Sequence, residues 1–125
     1  MLADIESPAF HPTEHLISIN GKVYLPIQAR LRWFLQDQHQ LVAAGVARMP
    51  YRIHTELVEL DRQAGTAQFK TTIRDVLGNE VTMYGAEAAK DFSDYPEHAS
   101  GKSLGRALAM LGYTTVTALA MTVAA

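Results

Sequence analysis

Apolar and polar residues alternate with a period of two through the middle of the chain, and recur at helical spacing on either side of it. Residues 67–74 read AQFKTTIR. Ala67, Phe69, Thr71 and Ile73 fall on one face, and Gln68, Lys70, Thr72 and Arg74 on the other. That pattern predicts a strand with one face on a core and one face free. Residues 80–89 alternate again, with Val81 and Met83 opposite Thr82 and Tyr84. Residues 51–60 (YRIHTELVEL) supply a third strand, and turn-like residues at 61–65 and 75–79 join the three into an antiparallel meander.

Upstream, Ile27, Leu31, Phe34 and Leu35 recur at helical spacing from residue 27 to about 39. Arg30, Arg32, Gln36 and Asp37 fall largely on the other side. Pro26 stands where a first helical turn tolerates a missing N–H. Downstream, residues 100–112 (SGKSLGRALAMLG) predict a second helix with Leu104, Leu108 and Leu111 as its apolar line. Gly101, Gly105 and Ala109 form a smooth stripe along it, and Gly112 suits the residue just past its end. Residues 16–25 flank Asn20-Gly21, whose tolerance of positive φ predicts a β-hairpin. Residues 41–50 read as a connection and 91–97 as a polar link.

The predicted fold class is therefore α+β: β-hairpin, helix, three-stranded antiparallel meander and a C-terminal helix packed on the sheet. Residues 1–15, with two prolines, read as an irregular arm, residues 16–113 as one domain and residues 114–125 as an apolar tail.

Composition narrows the function. The 125 residues include no cysteine, so disulfides, thiolate nucleophiles and cysteine zinc sites are excluded. The first 15 residues lack the basic and apolar regions of a signal peptide. The apolar run at 116–125 is too short to span a bilayer. A cytoplasmic protein with no membrane partner is expected. Eleven Lys plus Arg against 13 Asp plus Glu give a net charge of −2, so any nucleic-acid role must rest on a local basic stripe.

Most enzyme chemistry finds no support. His11 and His15 are four apart, but Pro12 lies between them and no third metal ligand has suitable spacing. Ser100, Ser103, His98 and Asp94 lack a nucleophile elbow, and Ser100 reads as a helix N-cap or first-turn residue. Asp91, Asp94 and Glu97 read as favourable charge at a helix N-terminus. They lack the glycine-bearing pattern of a calcium loop. Residues 101–105 lack the spacing of a phosphate loop. No catalytic residue, metal or cofactor is expected.

What remains is a set of cations with one aromatic. Lys70 and Arg74 share the free face of one strand, and Tyr84 the free face of the next. Lys102 and Arg106 lie one turn apart on the second helix, and Arg30 and Arg32 on the first. If the second helix lies beside the free sheet face, these line one groove able to hold a single strand without reading its sequence. Otherwise they are a solvated face.

The order of motifs resembles a known group. Tyr24-Leu25-Pro26 leads into Arg32-Trp33-Phe34, followed by residues 53–58 (IHTELV), Arg74-Asp75 and Gly78. Then Asp91-Phe92-Ser93-Asp94-Tyr95 runs into residues 102–113, KSLGRALAMLGY. This resembles small phage and bacterial proteins of the essential-recombination-function (ERF) group of single-strand annealing recombinases, distant relatives of the RAD fifty-two-like annealing proteins. The likeness covers roughly residues 20–113. It implies a β-meander on helices, assembled into homo-oligomeric rings or filaments. It also implies that single-stranded DNA lies in an outer basic groove and is annealed without ATP, in recombination or repair. Lys102 and Arg106 are then the helix cations nearest the DNA, with Lys70 and Arg74 from the sheet. Two other readings stay open. One is a ligand-binding or thioesterase-like domain with a pocket near Trp33, Phe34 and Met83 and a base at His54 or Glu56. The other is a structural oligomerisation module.

Overall fold

The computed structural model describes residues 10–124. Its first element is the hairpin β1 (Ile17–Ile19) and β2 (Lys22–Tyr24), closed by Asn20 at φ 52° and Gly21 at φ 79°. Both central residues are left-handed, as this turn requires. Helix α1 (Ile27–Ala43) follows, then strands β3 (Arg52–Asp61), β4 (Thr66–Arg74) and β5 (Glu80–Ala88) in the order β3-β4-β5. All pairing is antiparallel, with a bulge in β3 between Leu57 and Glu59. Helix α2 (Tyr95–Met110) lies across β4 and β5, and α3 (Thr115–Ala124) ends the fold. The α+β class, the hairpin, the meander and the helix on the sheet are as the alternation predicts.

The alternation of β4 decides which face is covered. Ala67, Thr71 and Ile73 are buried beneath α2, while the intervening residues stay accessible. One apolar cluster joins Phe34 of α1, Ile73 of β4, and Ala107 and Leu108 of α2. A second joins Leu25, Ala29 and Trp33 to Ala118 of α3. Tyr113 bridges them, edge-on to Trp33 at 5.0 Å and to Phe34 at 5.5 Å.

A hydroxyl chain pins the sheet to α2. Ser103 Oγ donates to the Ser100 carbonyl at 2.7 Å. Its one proton is spent there, so Thr71 Oγ1 donates to Ser103 and Thr55 Oγ1 to Thr71, each at 2.7 Å. Buried Thr71 and Ser103 are thereby satisfied in one direction only. Buried Gln38 pins the β4–β5 turn to α1. It accepts from the Val76 amide at 2.9 Å and donates to the Phe34 carbonyl at 3.3 Å.

The structure moves several sequence boundaries. Helix α1 runs a turn beyond His39, because residues 40–43 are compatible with a helix and the left-handed Gly45 comes only after them. Helix α2 starts at Tyr95, with Pro96 in its first turn, so part of the expected link is helical. Ser100 is thus an interior helical residue, not a cap. The segment after Tyr113, expected as a tail, winds into α3, and the Leu25 amide donates to Thr115 Oγ1 at 2.9 Å. In the expected irregular arm, Pro12–His15 form a 3-10 turn with Pro12 buried, and residues 1–9 lie outside the described residues.

Asp37 accepts the Tyr113 hydroxyl at 2.9 Å. Burial pushes the Asp37 carboxyl above its ordinary value, and the Tyr113 hydrogen bond partly offsets this. An acid with a raised folded value binds its proton more tightly in the folded state. Its ionisation therefore costs stability at neutral pH, and the cost is relieved as pH falls through the folded value. Asp37→Asn keeps an acceptor for Tyr113 and removes the charge. Melts at pH 7 and about pH 5 are expected to show two things. The variant is at least as stable as wild type at the higher pH, and it lacks the part of the acid-side gain that Asp37 supplies.

Candidate nucleic-acid interface

The free face of the sheet is set by register. Arg52 stands opposite Arg74, and His54 opposite Thr72. Lys70 lies between Glu56 on β3 and Tyr84 on β5. Thr72 also faces Thr82, with their hydroxyls 2.8 Å apart, and Arg74 also faces Glu80. Tyr84 is 46% exposed on this face. Lys70 Nζ lies 3.1 Å from Glu56 Oε1. That hydrogen bond and charge hold the Glu56 carboxyl below its ordinary range and the Lys70 ammonium above its own.

The groove between this face and the second helix is not formed, because α2 packs on the opposite, apolar face. Its cations instead come round the outer edge of β5. Lys102 Nζ reaches the Ala86 carbonyl at 3.1 Å and Glu87 Oε2 at 2.9 Å. Arg106 donates from Nη1 to the Tyr84 carbonyl at 2.9 Å. Spaced four apart on a helix, the two side chains leave α2 on one side and lie along the edge. They occupy carbonyls that an incoming strand would use, which closes this edge to pairing.

Lys70, Tyr84 and Arg106 consequently follow one another from the middle of the free face to the β5 edge. Arg74 lies further along β4, and Lys102 further along the edge. The five residues form a track that bends over an edge. Arg30 and Arg32 do not join it. Arg30 is turned inward, donating from Nε to the Tyr113 carbonyl at 2.8 Å and from Nη2 to the Gly105 carbonyl. Desolvation lowers its affinity for its proton. Arg32 lies over the Phe10 ring, 5.2 Å from its centre. Helical spacing places both arginines outward; Arg32 is indeed exposed, whereas Arg30 is not, because spacing alone does not show what a neighbouring helix covers.

Two residues of the face escaped the sequence reading. Arg52 and His54 have the same parity along β3, so the signal was present, but only the register shows Arg52 facing Arg74. Together with Thr72, Arg74 and Glu80 they line a recess of about 240 Å³.

The parts of the thioesterase-like alternative do not converge. Phe34 and Trp33 are core residues, whereas His54 and Glu56 stand on the free face. Asp94 is paired with His98 at 3.2 Å, and His98 stacks on Phe92. Among the described residues no three His, Asp or Glu side chains are grouped as metal ligands. Nor is any single helix among them long and apolar enough to cross a membrane. Comparison with family models, curated proteins and solved structures finds no match to this chain.

Proposed function

We propose that this chain binds single-stranded DNA on the free face of its sheet and promotes annealing without ATP, in recombination or repair. One observation carries the reading: a β-sheet face left uncovered by either long helix holds Arg52, Lys70 and Arg74 with an exposed Tyr84 beside Lys70. Cations neutralise phosphates, and an accessible ring stacks on any base, so the combination holds a strand without reading its sequence. The reading calls for no cofactor and no bond made or broken. Each protomer offers a short track on a molecule of net charge −2. Several copies acting along one strand therefore fit better than one, and the DNA-bound form is proposed to be homo-oligomeric.

Fluorescence anisotropy with labelled oligonucleotides tests the binding. Tyr84→Ala is expected to weaken it by roughly 1–3 kcal/mol with little change in salt dependence. Arg106→Ala is expected to weaken all sequences alike and to reduce the log–log salt slope by about 0.7, the share of one phosphate. Unchanged affinity in both folded variants counts against the reading. Solution mass with and without the oligonucleotide tests the assembly, and a monomer in both states contradicts it.

A further inference from the structure

We propose that the recess where β3 begins and β4 ends is a site for a single phosphate group, clamped between Arg52 and Arg74. Its natural source, a phosphate of the bound strand, rests on the nucleic-acid reading above. The site itself rests on the two arginines. They stand directly opposite each other in the β3–β4 ladder, where like charges repel. Neither forms an ion pair among the described residues. Arg52 has no hydrogen-bond or ion-pair partner among the described residues. Arg74 donates from Nη2 to the Pro50 carbonyl at 3.2 Å, while its Nε is buried with no hydrogen-bond partner. Glu80 faces Arg74 in the register, yet forms no ion pair with either arginine.

The charges of the recess fit the ligand. Two guanidinium groups and the Glu80 carboxylate leave one net positive charge when His54 is neutral, which matches one phosphodiester. A guanidinium presents paired N–H groups at the spacing of phosphate oxygens, so two of them grip a tetrahedral anion more specifically than two ammonium groups. The Thr72 hydroxyl and the His54 ring lie on the same walls and offer further polar contacts. The recess is larger than one phosphate, leaving room for the chain to enter and leave. Placing two arginines opposite each other costs folding stability unless an anion sits between them.

The test uses the full chain and its Arg52→Ala variant, with inorganic phosphate as the first probe and an unphosphorylated oligonucleotide as the second. In nitrogen-15 spectra at matched ionic strength, phosphate replacing chloride is expected to shift the Arg52 and Arg74 Nε–Hε signals of wild type. In the variant the Arg74 shift is lost. The variant is expected to melt at or above the wild-type temperature in chloride, because the opposed pair is gone. Its oligonucleotide affinity should fall about tenfold, as for loss of a charge-assisted contact, and its salt slope by about 0.7. If phosphate leaves both arginine signals in place, the site is overturned, even if the oligonucleotide still binds through Lys70 and Tyr84. If phosphate shifts them but no oligonucleotide binds, the phosphate site stands and the nucleic-acid reading fails.

Discussion

Gly85→Ala is expected to cost about 3 kcal/mol or more, a large fraction of the stability of an ordinary domain. Strand β5 crosses beneath α2 at this residue. A methyl group built on Gly85 stands 2.5 Å from both the Ala99 carbonyl oxygen and the Ser103 amide nitrogen, and 3.0 Å from the Lys102 carbonyl carbon. These are backbone atoms of a helix, so no side chain can swing aside. The helix would have to lift from the sheet, opening the Thr71–Ser103 hydrogen bond and the core beneath it. Gly101→Ala is the matched control. Nothing lies within 4 Å of a methyl group there, and Gly101 is inside α2. Alanine should therefore stabilise by roughly 0.5–1 kcal/mol. Urea melts of the two variants are expected to move in opposite directions. Equal shifts would show that the strand–helix approach at Gly85 is looser than described.

Arg30→Ala is expected to destabilise by roughly 3 kcal/mol, from two hydrogen bonds of a charged donor worth about 1.5–3 kcal/mol each and partly replaced by water. The guanidinium joins α1 to the Gly105 carbonyl within α2 and to the Tyr113 carbonyl just beyond it. A side chain at Gly105 would crowd Ile27 slightly and meet Arg30 at ordinary contact distance. A methyl group there lies 3.5 Å from Arg30 Nη1 and 3.3 Å from Ile27 Cδ1. Arg30→Lys should restore less than half of the loss, since one ammonium cannot present two donors in that fork. Full rescue by lysine would mean that charge alone, and not the two-carbonyl geometry, is what counts at this position.

The smooth stripe of α2 shows where sequence reading runs out. Spacing along the helix presents Gly101, Gly105 and Ala109 as one smooth surface. In the fold Gly105 is buried against α1, Gly101 meets open space, and the closest backbone approach falls on Gly85, which is not in the helix. Spacing along one helix cannot reveal which partner arrives. The strands were legible because alternation survives wherever one face is buried and the other is wet. The hairpin was legible because Asn20-Gly21 carries its own conformational preference. The start of α2 was obscured by the polar residues at 91–97, although Pro96 fits a first turn. For the candidate site, the free-face parity of Lys70, Arg74 and Tyr84 could be read directly. The face on which α2 packs, and hence the β5-edge position of Lys102 and Arg106, depended on the apolar side of the sheet. The pairing of Arg52 with Arg74 required the register.

The most direct test of DNA binding on the free sheet face is a map of backbone amide shifts in nitrogen-15-labelled protein titrated with a short unlabelled single-stranded oligonucleotide. The expected shifts cluster on Arg52, Lys70, Arg74 and Tyr84, continue over the β5 edge to Arg106, and fade as salt is raised. Shifts confined to α1 and α3, or none at low salt, would contradict the account.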